Sequence, residues 1–308
     1  MDSVCKKTDR EMNDIIYSFI IPHKNSLELL QRCIDSIPQR DDIQIIVVDD
    51  NSDEALVDWD KFKIKNDKRV ELVRTTEGKG AGYARNIGLK KATGKWILFT
   101  DADDFYRDGF LNTLDEYKEK DIDVLYFGFT GILDNGEYTL HRRYNKTAVY
   151  YDNYDNTMLA LDRIKYRITV PWNKMVRKEF VCKYNIYFEE VPKGNDVLFS
   201  FMVGYFAKHI SVSKQKLYFW TFQNNSISNK RLTRQAAEVI VNTIYHANSF
   251  YSYIGYAKWS QSIIRSVVSK IVYNGFISGY LLIKAYIKCI HCDKKFYIEQ
   301  ISKEIIKK

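Results

Sequence analysis

The chain has 308 residues and is poor in proline, with four, and in cysteine, with five. So few prolines exclude a proline-rich linker architecture and leave long stretches free to complete helices and strands. The cysteines stand scattered at Cys5, Cys33, Cys182, Cys289 and Cys292. An odd set in a chain of this size reads as reduced thiols and excludes a disulfide framework. Cys289-Ile-His-Cys292 has half the spacing of a zinc site, but no second Cys or His pair completes it, so no zinc is expected there. Also missing is any run of 18 uncharged apolar residues. The best candidate, 263–290, is interrupted by Arg265, Lys270, Lys284 and Lys288, which argues against a membrane-spanning helix. The first residues, Met-Asp-Ser-Val-Cys-Lys-Lys, lead into no apolar run, so no secretory signal is expected and a cytoplasmic location is. Internal repeats and low-complexity segments are absent.

What is present is a globular composition, 45% apolar and 28% charged, with 23 tyrosines and a length sufficient for a large core. The net charge of +8 is unevenly placed. Residues 230–308 carry 13 Lys and Arg against 4 Asp and Glu, a net of +9, while residues 1–229 carry 34 against 35. A basic tail that also holds Tyr245, Phe250, Tyr251, Tyr253, Tyr256 and Trp259 suits packing on the rest of the chain or on another copy. It equally suits peripheral contact with an anionic membrane. Nucleic acid would use the same residue types, but no recognised module is present, and no such partner is expected.

The first half alternates strand and helix patterns. Strands are predicted at Tyr17–Ile21, Ile43–Val48, Val70–Val73, Trp96–Thr100 and Asp123–Phe129, with helices at 27–36, 82–92 and 109–120 between them. Ile43–Val48 is almost wholly β-branched, as befits a strand buried on both faces. Such alternation predicts an α/β fold with a mostly parallel sheet, whose ligands lie at the carboxyl ends of the strands. Beyond 130 the pattern weakens: a hairpin over 137–151, helices at 154–164 and 196–207, a strand at 216–222, and helices from 232 onward.

Two strand ends are acidic, Asp49-Asp50 and Asp101-Ala-Asp103. In extended chain Asp101 and Asp103 point to the same side. Carboxylates so placed are costly unless something positive binds them. Two are too few to cage Ca²⁺ but suit Mg²⁺ or Mn²⁺, which keep positions open for phosphate oxygens. The simpler use of these aspartates is to cap the helix starting near Gly109, for which Asp104 alone would suffice. Gly78-Lys-Gly-Ala-Gly82 lacks the features of a P-loop or dinucleotide motif and reads as a turn feeding a helix.

Seven segments occur in an order that resembles the inverting, nucleotide-sugar-dependent glycosyltransferases of family two. They are Phe19-Ile-Ile-Pro-His-Lys-Asn25, Ile45-Ile-Val-Val-Asp-Asp-Asn-Ser52, Gly82-Tyr-Ala-Arg-Asn-Ile-Gly88, Gly94-Lys-Trp-Ile-Leu-Phe-Thr-Asp-Ala-Asp-Asp104, Trp172-Asn-Lys174, Gly194-Asn-Asp196 and Asn225-Ser-Ile-Ser228. The resemblance implies a GT-A fold over 1–229, with a nucleotide-sugar half at about 15–130 and an acceptor half at 131–229, followed by a helical extension over 230–308. It implies that Pro22 borders the nucleotide base and that Asp50, with Asp49 beside it, accepts from uracil. Arg85 and Asn86 would lie near the nucleotide. Asp101, with Ala102, would contact ribose or metal, and Asp103 would ligate Mn²⁺ or Mg²⁺. Asp196 would be the general base, although the Glu usual before it is Asn195 here, and Trp172 would line the acceptor side. The implied reaction moves a hexose, from a UDP-sugar, to a glycan or lipid-linked acceptor of a surface polysaccharide. A sugar nucleotidyltransferase or a non-catalytic carbohydrate-binding protein are the alternatives. The first would need a Gly- and Arg-rich loop directly after the first strand, where Pro22-His-Lys-Asn25 stands.

Overall fold

The computed structural model describes residues 15–60, 63–133, 137, 142–222, 232–289 and 294–306. By contacts the chain forms two compact units, one of residues 1–190 with 199–223 and one of residues 191–198 with 224–308.

The first unit is built on a sheet. Strands β1 (Tyr17–His23), β2 (Ile43–Asp50), β3 (Val70–Thr75) and β4 (Trp96–Phe99) are joined by helices α1 (Leu27–Asp35) and α2 (Ala81–Lys91). Then come β5 (Phe105–Tyr106), α3 (Phe110–Asp115), β6 (Val124–Leu133), α4 (Arg142–Asp152), α5 (Met158–Arg167), β7 (Lys174–Arg177), α6 (Lys178–Lys183), α7 (Val197–Phe206) and β8 (Ile210–Phe222). The strand order is β3-β2-β1-β4-β7-β6-β8-β5. The four strands β3-β2-β1-β4 are parallel, β7 runs antiparallel to β4 and β6, and β8 pairs parallel with β6 and antiparallel with β5.

This order positions the site. From β1 the chain steps outward through β2 to β3, then returns to place β4 on the other side of β1. The carboxyl ends of β1 and β4 therefore flank a point where successive connections leave in opposite directions, and there the sheet leaves a crevice. Pro22 is accommodated inside β1 for a related reason. The Ile20 carbonyl turns toward β4 and accepts the Thr100 N–H at 3.1 Å. Two residues on, Pro22 faces the same side beyond the end of β4, where no ladder donor is needed.

Helix α2 lies close on the sheet because Gly88 has no side chain: a Cβ there would stand 2.3 Å from Ile20 Cγ2. The buried residues of β1, β2 and β4 form the centre of the core, and Phe99 packs edge-on against Phe188 and Phe199.

Three expectations need correction. The segment expected as a hairpin over 137–151 is helical from Arg142; its buried residues Ala148 and Tyr151 are three apart, one face of a helix. The strand expected at 216–222 begins at Ile210, paired with β6 throughout despite a register shift at Gly128. Cys33 and Cys289 are buried thiols, but Cys182 is disulfide-bonded. An odd count obliges only one sulfur to stay single, so it never required all five to be thiols. Cys5, Cys292 and the Asn225–Ser228 motif lie outside the described residues.

The second unit contains α8 (Arg234–Tyr253), α9 (Ile263–Asn274), α10 (Phe276–Lys288) and α11 (Phe296–Ile306). Its core joins Ala236, Ala237 and Val241 of α8 to Leu282 and Ala285 of α10 and to Cys289. No helix among the described residues is long and apolar enough to cross a membrane.

Gly88→Ala is expected to cost about 1–3 kcal/mol through overpacking on Ile20, measured by urea unfolding. Adding Ile20→Ala should be less than additive with it; full additivity would show that the helix does not rest on that contact.

Candidate functional site: the acidic turn after β4

β4 ends buried at Phe99, and Thr100 carries the chain out with its hydroxyl bonded to the Tyr106 hydroxyl at 2.9 Å. The next four residues form a tight turn in which the Asp104 N–H donates to the Asp101 carbonyl at 3.0 Å. The turn gathers Asp101, Asp103 and Asp104, one carboxylate oxygen from each lying within 4.8 Å of the others. The alternation seen in the sequence thus brings Asp101 and Asp103 together, and the turn adds a third carboxylate.

Asp104 does not cap the following helix, which starts after Gly109 with no side-chain cap. Its carboxyl group is buried, accepting the Tyr218 hydroxyl at 2.9 Å and the Thr221 N–H at 2.7 Å from β8. Burial, then the adjacent Asp103 and Asp101, push its pKa well above the usual carboxylate range. The Tyr218 hydroxyl also accepts the Asp101 N–H at 3.1 Å, so one oxygen ties both ends of the turn to β8. Arg32, from α1, donates to the Asp103 carbonyl at 2.5 Å and to Thr221 Oγ1 at 3.2 Å, with its guanidinium over the Phe105 ring. The turn is therefore held by its backbone from two sides.

Arg85 and Asn86 separate. Arg85 is buried and pairs with Asp101 Oδ1 at 2.5 Å, its guanidinium 5.3 Å from the centre of the Phe188 ring. Asn86 spends its amide on the backbone of Phe188, donating to the carbonyl and accepting the N–H at 2.9 Å each, and on Glu190 at 3.2 Å. Asn86 thus fixes the segment on which Arg85 rests.

The two aspartates ending β2 also separate. Asp49 accepts from Ser52 and from His23 Nδ1, the latter at 2.9 Å. Burial acts to raise its pKa, but these hydrogen bonds outweigh it and leave the pKa lowered. Asp50 is pushed up by burial, only partly offset by the Gly80 N–H and by Lys24. Its Oδ2 accepts the Gly80 N–H at 2.8 Å, a contact made where Gly80 adopts φ 93°, which favours glycine. Its buried Oδ1 has no hydrogen-bond partner among the described residues. A buried acceptor left open in this way fits a ligand N–H.

Trp172, expected to line the acceptor side, is 3% exposed. One face stacks on Tyr218 with centroids 4.7 Å apart, and it meets Phe129 edge-on. Its faces are taken by the core, where it steadies the ring that carries the bridging hydroxyl. Pro22 and Ala102 are both half-buried, Pro22 near the end of β1 and Ala102 in the acidic turn. Asp196 lies in the turn before α7, after Gly194 at φ 71°, in the segment that clusters with the C-terminal helices. Sequence reasoning missed Arg32, Tyr218 and Thr221, none of which stands in a motif.

A chain with this sheet order and acidic turn can be compared with known proteins. The profile of Glycosyl transferase family 2 matches residues 18–184. The chain belongs to that family. The match spans β1 through α6 and stops before Asp196. Among the family's curated members, the poly(ribitol-phosphate) beta-N-acetylglucosaminyltransferase TarS of Staphylococcus aureus is 29% identical over 211 residues, 66% of this chain and 35% of that protein. The putative glycosyltransferase EpsH of Bacillus subtilis is 26% identical over 216 residues, 68% of this chain and 62% of that one. This family-2 chain thus spans about a third of the length of TarS. The crystal structure of S. aureus TarS 1–349 in complex with UDP-GlcNAc superposes with a TM-score of 0.63 at 22% identity, covering 88% of this chain and 79% of that one. The likeness shows the GT-A fold.

Tyr218→Phe keeps the ring on Trp172 and removes only the bridging hydroxyl. It should cost about 1–3 kcal/mol of stability by leaving buried polar groups without their partner, read from denaturant midpoints. An unchanged midpoint would show that the bridge does not hold the turn.

Proposed function

We propose that the chain is an inverting, metal-dependent hexosyltransferase. It moves a hexose from a nucleotide sugar, a UDP-sugar, to a hydroxyl of a glycan or lipid-linked acceptor in surface-polymer synthesis. The observation that carries this reading is the acidic turn at the switch point of the sheet, with the open buried oxygen of Asp50 at the end of a nearby strand. Family membership and the activity of relatives such as TarS on poly(ribitol-phosphate) support the acceptor class.

The residues present fit a divalent cation. Asp103, with Asp101, would hold it, and the donor set of carboxylate oxygens is the one that Mg²⁺ and Mn²⁺ prefer. Asp104, with both oxygens engaged from β8, supports the turn. Bound there, the ion would neutralise charge on a departing diphosphate as a Lewis acid. Asp101, held by Arg85, is the oriented side of the pair and suits the ribose. Asp50 accepts the imide N–H of the base through Oδ1, and its raised pKa weakens that acceptor as pH falls.

Asp196 is the base in this reading. It takes the proton of the acceptor hydroxyl as that oxygen bonds to the anomeric carbon and the carbon–phosphate-oxygen bond breaks, its electron pair leaving with the diphosphate. One base and one direct displacement invert the anomeric centre. The enzyme would work in the cytoplasm, where nucleotide sugars are supplied.

Asp196→Asn should leave UDP-sugar binding within about twofold while transfer falls by about 10²–10⁴-fold. Surviving turnover would remove Asp196 from the base role. A thermal-shift screen of nucleotide sugars, with and without Mn²⁺, should show stabilisation by UDP-sugars that depends on the ion.

A further inference from the structure

The α9–α10 hairpin of the second unit is apolar on two sides. One side enters the core with α8: Ile263 and Val267 of α9 and Leu281, Leu282 and Ala285 of α10 pack there. The helices meet closely at Gly279, where a Cβ would stand 2.1 Å from Ile271 Cγ1, and the turn between them is at Gly275, φ 81°. The other side is uncovered. Ile264, Val268 and Val272 recur every fourth residue of α9, and Phe276, Ile277 and Ile287 stand out from α10; all six are 51–76% exposed. A helix pair with this much apolar surface on its outside marks an interface.

The charge of the pair decides what covers it. Residues 263–288 contain Arg265, Lys270, Lys284 and Lys288 and no Asp or Glu. Arg265, Lys284 and Lys288 are exposed. Lys284 Nζ lies 4.8 Å from the Tyr280 ring centre, and Lys288 also bonds Glu238 of α8 at 2.8 Å. A second copy of this surface would bring cation against cation with no acid on either hairpin to answer it. A phosphate-lined groove of nucleic acid would leave six large aliphatic and aromatic side chains without a partner. An anionic bilayer meets both requirements, taking the apolar side chains at the acyl boundary and the cations at its headgroups. At 12 and 13 residues the helices are about 20 Å long, too short for a hydrocarbon core of about 30 Å. They would lie on the surface.

We propose that the outer side of the α9–α10 hairpin docks the protein on anionic membrane. This narrows the basic, aromatic tail of 79 residues to one pair of helices. It stands independently of the transfer reaction.

The test uses the full chain with phosphatidylcholine vesicles and with vesicles of phosphatidylcholine and phosphatidylglycerol. Co-sedimentation should rise steeply with phosphatidylglycerol and fall with salt. The triple variant Ile264→Glu, Phe276→Glu, Ile287→Glu should lose at least tenfold in partitioning, with circular dichroism and thermal unfolding unchanged. Arg265→Gln with Lys284→Gln should lower partitioning about fivefold per cation removed. Lys303→Gln, on α11, serves as a charge control and should have a smaller effect. Equal binding to both vesicle types, or binding that survives the triple variant, overturns the proposal. So does a concentration-dependent dimer, abolished by the triple variant, in a protein that ignores vesicles; that result assigns the face to a second copy.

Discussion

The hydroxyl of Tyr218 is the smallest part of this structure on which the most depends. Three carboxylates within one turn repel one another, and nothing in the local sequence would hold them together. Tyr218 accepts the Asp101 N–H and donates to Asp104, while Arg32 holds the Asp103 carbonyl from the other side. The repulsion is thus met by backbone anchoring, which keeps a carboxylate oxygen of each of the three within 4.8 Å of the others. Asp104 is sacrificed to that purpose: buried, doubly bonded and raised in pKa, it supports the turn. A preorganised acidic site holds its geometry before any ligand arrives, which is the property that the proposed metal–diphosphate role requires.

The topology explains why the turn stands where it does. Returning the chain to put β4 beside β1 makes the one place in the parallel part of the sheet where a crevice opens at the carboxyl edge. β2 brings Asp50 to that same edge, with its register fixed by His23 opposite Asp49. The division of labour within each acidic pair follows from neighbours. Asp49 is consumed by His23 and Ser52, whereas Asp50 keeps an oxygen open; Asp101 is paired with Arg85, whereas Asp103 lies between two anchored residues.

Much of this was legible in the sequence wherever the signal was local. The β-branched run of β2, the apolar run of β4 and the spacing of α1 and α2 place those elements to within a residue or two, and their order places the acidic ends together. What was not legible depends on distant partners. Asp104 read as a helix cap because its true partners lie on β8, over a hundred residues away. Trp172 read as lining the acceptor side because the resemblance puts it there, yet the ring is buried and stacked on Tyr218. The segment at 142–152 is rich in aromatic and β-branched residues and falls largely within the hairpin expected over 137–151. It is helical because Ala148 and Tyr151 share a buried face, an instance of burial overriding propensity.

The central claim is that the turn after β4 binds a divalent ion together with a nucleoside diphosphate. Mn²⁺ titration followed by the electron paramagnetic resonance of the free ion tests it most directly, with the full chain, with and without UDP. The account predicts Mn²⁺ uptake that is strengthened by UDP and lost, by tenfold or more, in Asp103→Ala, with the protein still folded. Uptake that is equal in wild type and Asp103→Ala, or that is indifferent to UDP, would contradict it.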